Sequence, residues 1–173
     1  AQGYEQTTIE QITAQADVAK GTFFNHFPTK EAVLCFLGEQ RVEMLEEMFS
    51  KELSRLQSSK EKILRIFQVL SEENERSKEI TALITREMFN RQSIGMQQER
   101  DSQRLLRESF ITILAEGQQK SEFRADFLPE HASDMLIGTY FYTLFQWLDS
   151  EVECSLEKEL LERVQLVFQG LYI

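Results

Sequence analysis

Only two prolines and seven glycines interrupt the 173 residues. A β-sandwich or a doubly wound sheet of this length needs more turn residues than that, so extended β architecture is disfavoured. Cysteine is equally scarce. Cys35 and Cys154 are too few and too far apart for a disulfide framework, which points to free thiols in a reducing cytoplasm. The two histidines, His26 and His131, are widely spaced from each other and from the cysteines. No metal-ligand spacing results, and no cofactor is expected. Glycine-rich phosphate loops, Gly-x-Ser-x-Gly and His-Glu-x-x-His are all missing. The longest nearly apolar run, Met135 to Leu148, is too short to cross a bilayer and contains Gly138, Thr139, Thr143 and Gln146, so no membrane partner is expected. No signal peptide opens the sequence. Positive charge is also short: 19 Lys and Arg stand against 29 Asp and Glu, a net charge of −10. Residues 1–40 carry only Lys20 and Lys30 against five carboxylates, a net of −3. Any contact with nucleic acid must then be made by a small shaped surface against an unfavourable field.

What is present is helical periodicity from end to end, hence an all-α fold. Thr7-x-x-Glu10 and Thr8-x-x-Gln11 both fit a capping box at the start of a short helix. A break follows at Ala16-Asp17-Val18, then a second short helix over roughly Ala19 to His26. Pro28 pushes Phe27 out of the helical region and ends it. Thr29 caps a long helix with the stripe Val42, Leu45, Phe49, Leu53 and Leu56. Further helices carry Ile63, Phe67 and Leu70; Ile80, Leu83, Ile84 and Met88; and Leu106, Phe110, Ile113 and Leu114. A polar turn with Pro129 precedes a helix over about 130–149 that is apolar on more than one face. The last helix carries Leu156, Leu160, Leu161, Val164, Val167, Phe168 and Leu171.

Two short helices joined by a turn fit a helix-turn-helix, whose second helix enters the major groove of double-stranded DNA. Here that helix reads Ala19-Lys20-Gly21-Thr22-Phe23-Phe24-Asn25-His26. Lys20 can reach a phosphate or a guanine edge, Thr22 a phosphate or a thymine methyl, and Asn25 and His26 a base edge or the backbone. Gly21 lets the backbone approach closely.

The stretch from Thr7-Thr8-Ile9 through Ala16-Asp17-Val18-Ala19-Lys20-Gly21-Thr22-Phe23-Phe24-Asn25-His26-Phe27-Pro28-Thr29-Lys30-Glu31 closely resembles the DNA-binding signature of the tetracycline-repressor (TetR) family of bacterial transcription regulators. The match covers about 30 residues. The remainder is similar in architecture alone, with its string of helices, the turn Glu122-Phe123-Arg124-Ala125-Asp126 and a final aromatic-rich helix pair. The resemblance implies a helix-turn-helix domain over residues 1–40 and a helical effector-binding and dimerisation domain over 41–173. It implies a repressor that binds its operator as a homodimer and is released by a small effector. Carried over by position, Thr7 or Thr8 bonds a phosphate, Lys20, Gly21 and Thr22 enter the groove, and His26 lies beside the backbone. Lys30 holds a second phosphate at a helix N-terminus. Three positions depart from the pattern. Asp17 replaces a turn glycine, Ala19 replaces a serine cap, and Phe24 replaces a tyrosine that reaches a phosphate. Family members also begin with a full helix, of which residues 1–4 would be the end, with Gly3 as its C-cap. The expectation is that the whole protein has such a helix.

A helix that is apolar all round must be covered on all sides. The 130–149 helix can meet its own copy across a two-fold axis, completing a four-helix bundle with the last helix. The interface expected on that basis comprises Met135, Thr139, Tyr142, Leu160, Val164, Val167, Phe168 and Leu171. A pocket for a small apolar or aromatic effector is expected between the middle helices, walled by Phe67, Met88, Phe89, Phe110, Leu114, Tyr140, Phe141 and Phe145. Arg86, Tyr142 and Gln146 are further polar candidates there. Two other readings stay open. One is a helical ligand- or protein-binding module whose DNA surface has decayed, which the charge of residues 1–40 favours. The other is an enzyme built on Cys35, Cys154, His26 or His131. Against it, Cys35 reads as a buried core thiol and His131 as an exposed residue at a helix start.

Overall fold

The computed structural model describes residues 3–89, 96–152 and 154–171. Among these, all regular structure is α-helical, in the order α1 (Gly3–Gln6), α2 (Ile9–Gln15), α3 (Lys20–His26), α4 (Lys30–Leu53), α5 (Ser59–Arg76), α6 (Lys78–Phe89), α7 (Met96–Gln119), α8 (Pro129–Asp149) and α9 (Leu156–Gln169).

Local chemistry explains most of the boundaries. Side-chain oxygens of Thr8, Thr29, Ser58 and Ser155 each accept from a backbone N–H in the first turn of the helix that follows, satisfying a donor with no partner inside the helix. Pro129 stands in the first turn of α8, where its missing N–H costs nothing. It therefore begins a helix rather than sitting in the turn before it. Gly3 also departs from expectation. It lies inside α1 rather than capping a helix, and the helical turn continues to Gln6, with Thr7 N–H donating to Tyr4 O at 3.1 Å.

α5, α7, α8 and α9 enclose the main core. α7 packs on α8, and α5 and α8 pack on α9. Ile63, Ile66 and Phe67 of α5, Phe110 and Leu114 of α7, Leu136 and Leu144 of α8, and Leu156, Leu160, Val164 and Phe168 of α9 are all buried there. The four-residue spacing in α9 turns a single stripe inward. α4 joins this body to the first three helices. It runs without interruption past residue 40 and packs against α5, α6 and α7.

The α7–α8 turn is tied down by its own backbone. Glu122 N–H and Phe123 N–H both reach Gly117 O, at 2.8 and 3.3 Å, and Ser121 is left-handed with φ 59°. Glu122 Oε2 accepts from Ser58 Oγ and Ser59 N–H, both at 2.8 Å, and so caps α5 from across the domain. Phe123 lies flat on Phe168, with ring centroids 5.9 Å apart. A Cβ at Gly117 would collide with Cδ2 and Cε2 of that ring and stand 3.0 Å from Ser59 Cβ. The buried ring has nowhere to swing. Gly117→Ala is therefore expected to lose stability despite alanine's better helix propensity. Thermal unfolding should show a melting temperature lower by about 2–8 °C.

Candidate nucleic-acid interface and effector domain

The α2–α3 pair is built on a small set of internal contacts. Thr8 Oγ1 accepts from Gln11 N–H at 3.2 Å, and Gln11 Oε1 accepts from Thr8 N–H at 2.9 Å. This capping box selects the second of the two spacings the sequence offered. Buried Thr13 donates its hydroxyl to Ile9 O at 2.9 Å. After Ala16, Asp17 adopts φ 53°, the left-handed conformation that glycine would take without strain. Val18 N–H closes the turn onto Thr13 O at 3.0 Å. Ala19 caps α3 without any side-chain bond.

Phe23 is the one buried residue of α3. Its ring meets Phe27 at 5.7 Å and Phe24 edge-on at 5.5 Å. Phe27, extended before Pro28, packs in turn on Phe36 of α4 at 5.6 Å. This aromatic chain seats α3 against α4 and leaves every other α3 side chain outward. Lys20, Gly21, Thr22, Phe24, Asn25 and His26 are all exposed. Thr8 is exposed and Thr7 half-buried.

The two cations of this region are both engaged. Lys20 Nζ pairs with Glu10 Oε1 across the two helices. The Lys20 hydrogen bond, more than any other contact, holds the Glu10 carboxyl below its usual pKa. Lys30 is turned inward. Its ammonium donates to Tyr4 O at 2.9 Å and Thr7 O at 3.1 Å, and stands 4.1 Å from the centre of the Tyr4 ring. It thus satisfies carbonyls at the end of α1 and neutralises that negative helix end. In this structure the ammonium that the resemblance would place on a second phosphate is engaged within the chain. Neither the Lys20–Glu10 pair nor the Lys30–Tyr4 contact was read from sequence, where Glu10 stood only as a capping-box candidate, because each joins residues on different helices.

In the larger domain the residues expected in the pocket and at the interface divide between the core and an outer face. Phe67, Phe110 and Leu114 are fully buried. Phe67 and Phe110 lie 5.1 Å apart as packed core, so they fill space rather than wall a cavity. Tyr140 is buried beside them, with its hydroxyl accepting from Asn74 Nδ2 at 2.9 Å. Phe141 is partly buried against the same cluster, 5.0 Å from Tyr140. Phe145 points outward. The side chains of Met88 and Phe89 lie outside the described residues.

Leu160, Val164, Phe168 and Leu171 are buried within the chain's own core, and Val167 packs against it. They are corrected from interface to core, because α9 spends its apolar stripe on α5 and α8. The outward face is different. Met135, Tyr142 and Leu166 are 58%, 60% and 65% exposed. Phe145 shares the α8 face, Thr139 is half-buried on it, and Leu166 stands on α9. Gln146 Nε2 donates to Tyr142 Oη at 2.9 Å, and Arg163 Nη2 donates to Gln146 Oε1 at 3.5 Å, which joins the outer faces of the two helices. Tyr142 and Gln146 therefore leave the pocket set. Cys35 is half-buried rather than buried, and Cys154 is exposed. His131 is exposed, as expected. Among the described residues no three His, Cys, Asp or Glu gather as metal ligands, and no helix is long and apolar enough to cross a membrane.

Two family models match in tandem. Residues 1–34 match the bacterial regulatory proteins of the tetR family, and residues 39–170 match the C-terminal domain of TetR/AcrR family transcriptional repressors. The chain belongs to the TetR family. It is a DNA-binding transcriptional regulator of the repressor kind, and proteins of the TetR family are generally non-enzymatic transcription factors. The chain is similar to the fatty acid metabolism regulator protein of Bacillus subtilis, 22% identical over 98% of this chain and 88% of that protein. The transcriptional repressor DhaR of a Mycobacterium species is 46% identical over 33% of this chain and 25% of its own length. Among solved structures, Thermus thermophilus FadR in complex with lauroyl-CoA aligns at 27% identity with a TM-score of 0.76, covering 99% of this chain and 88% of that one. Bacillus subtilis FadR in complex with stearoyl-CoA shares the fold with a TM-score of 0.85 at 21% identity, over 97% and 90% of the two chains.

Proposed function

We propose that this regulator docks α3 in the major groove, with Lys20, Gly21, Thr22, Phe24, Asn25 and His26 facing DNA and Thr7 and Thr8 beside the backbone. One observation carries this: of seven α3 residues only Phe23 is buried, so the helix is anchored by one ring and presents the rest. Lys30 serves as the joint between α1 and α4. The protein works in the cytoplasm, where its operator is, as a homodimer formed through Met135, Thr139, Tyr142, Phe145 and Leu166. Two α3 helices then read half-sites about one helical turn apart. The reading-head domain ends near residue 40, within α4, and the effector domain follows. The protein catalyses no reaction.

The effector is a fatty acyl thioester of the acyl-CoA class. Support comes from the two regulators aligned over nearly the whole chain that carry acyl-CoA ligands. It comes also from the apolar margin of the core, where Leu106, Ile137 and Phe141 pack partly buried. Binding there displaces α6 and α7, which touch α4, and α4 shifts α3 through the Phe36–Phe27 contact. Coupling of about 1–3 kcal/mol suffices to change operator affinity by one to two decades.

The test is a fluorescence titration of the full-length protein against its own promoter region, with and without lauroyl-CoA. Affinity should fall steeply with salt, and lauroyl-CoA should release the DNA. DNA binding that ignores lauroyl-CoA and other acyl-CoAs overturns the effector class. Absence of salt-dependent binding overturns the docking and favours the decayed module.

A further inference from the structure

Residues 1–40 hold two cations, and neither is uncommitted. Lys30 is held by the carbonyls of Tyr4 and Thr7. Lys20, at the first turn of α3, is where a groove-entering helix would meet a phosphate or a guanine edge, and the Glu10 carboxylate already occupies its ammonium. Both partners are more than half exposed. The pair is screened by water and opens at low cost, so it is a competitor for Lys20 rather than a lock.

We propose that Glu10 is a positioning residue that sets DNA affinity by competing with the DNA backbone for the Lys20 ammonium, holding down sequence-independent binding. This inference rests on the placement of α3 in the groove. Phosphate contacts supply nearly all non-specific affinity, whereas the base-edge candidates Thr22 and Asn25 make no bond to Glu10. Relieving the competition should therefore strengthen binding to any duplex more than it sharpens selectivity. Glu10 also repels phosphates through its own charge. The two effects are separable, because direct repulsion survives removal of Lys20 and competition does not.

The experiment uses the full-length protein, a mixed-sequence DNA duplex, and the variants Glu10→Gln, Lys20→Met and the double variant. Glu10→Gln keeps the side chain's shape. It should tighten binding by about 1.5- to 5-fold per bound α3, the range of an exposed ion pair. It should also steepen the log–log salt slope, by at most about 0.9 per bound α3. Lys20→Met should weaken binding, and Glu10→Gln added to Lys20→Met should then give a distinctly smaller gain than Glu10→Gln alone, the residue of direct repulsion. An equal gain from Glu10→Gln in both backgrounds overturns the inference and leaves simple repulsion. So does an unchanged affinity and salt slope in Glu10→Gln while Lys20→Met weakens binding. If neither single variant alters binding that still occurs, the placement of α3 fails together with this inference.

Discussion

Tyr142→Glu is expected to convert the regulator to a monomer and to lower affinity for its operator by at least about 100-fold. Tyr142 stands near the middle of an outward apolar face, with Met135, Thr139, Phe145 and Leu166 around it. In a two-fold interface the same patch meets itself, so one substitution places two carboxylates in an apolar contact. Their desolvation is costly, and Arg163 on the adjoining face of α9 already pairs with Glu159 at 2.6 Å. A monomer engages a single half-site and loses the high local concentration that the second one enjoys. Little of the Tyr142 ring packs within its own chain, so the melting temperature of the isolated subunit should barely move. Sedimentation velocity and operator titration read the two effects separately. A dimer that persists in Tyr142→Glu refutes the assignment of this face.

Phe110→Ala is expected to cost about 3–5 kcal/mol, a drop in melting temperature of roughly 6–20 °C for a chain of this size. Phe110 is fully buried against Phe67, and its loss leaves a cavity between α5, α7 and α8. The result also decides between the two roles the sequence allowed this ring. A pocket wall removed from a hollow site would cost far less and would mainly alter effector affinity. Calorimetry on the unliganded protein distinguishes them, and a loss below about 1 kcal/mol would reopen Phe110 as a wall.

The sequence disclosed those features that depend on neighbours a few residues apart. Asp17 in a turn glycine's place and Ala19 in a capping serine's were marked only by the resemblance to the TetR signature, while the stop before Pro28, the Thr29 cap and a capping box at one of two adjacent spacings were legible, because each is decided within one turn of chain. Features decided by distant partners were not. Lys30 points toward α1 because the Tyr4 and Thr7 carbonyls lie there, more than twenty residues back. The apolar residues of α8 and α9 could be counted from sequence, but not apportioned between the chain's own core and an outer face. Leu166 shows why. It sits between Val164 and Phe168, both buried, and was not among the stripe residues read from sequence; at two residues from each it turns about half a circle away onto the outer face. Phe145, expected in the pocket, stands on the outer face of a helix that is apolar on more than one side.

The unbroken course of α4 bears on how a message crosses the molecule. Its 24 residues make a rod about 36 Å long, with no proline within it to absorb a bend. Such a rod acts as a lever. A swing of about 5° at the ligand end sweeps the opposite tip through roughly 3 Å at this length, about the reach of one hydrogen bond. Geometry alone thus amplifies a shift too small to disturb the core into one that takes polar groups out of register with a double helix.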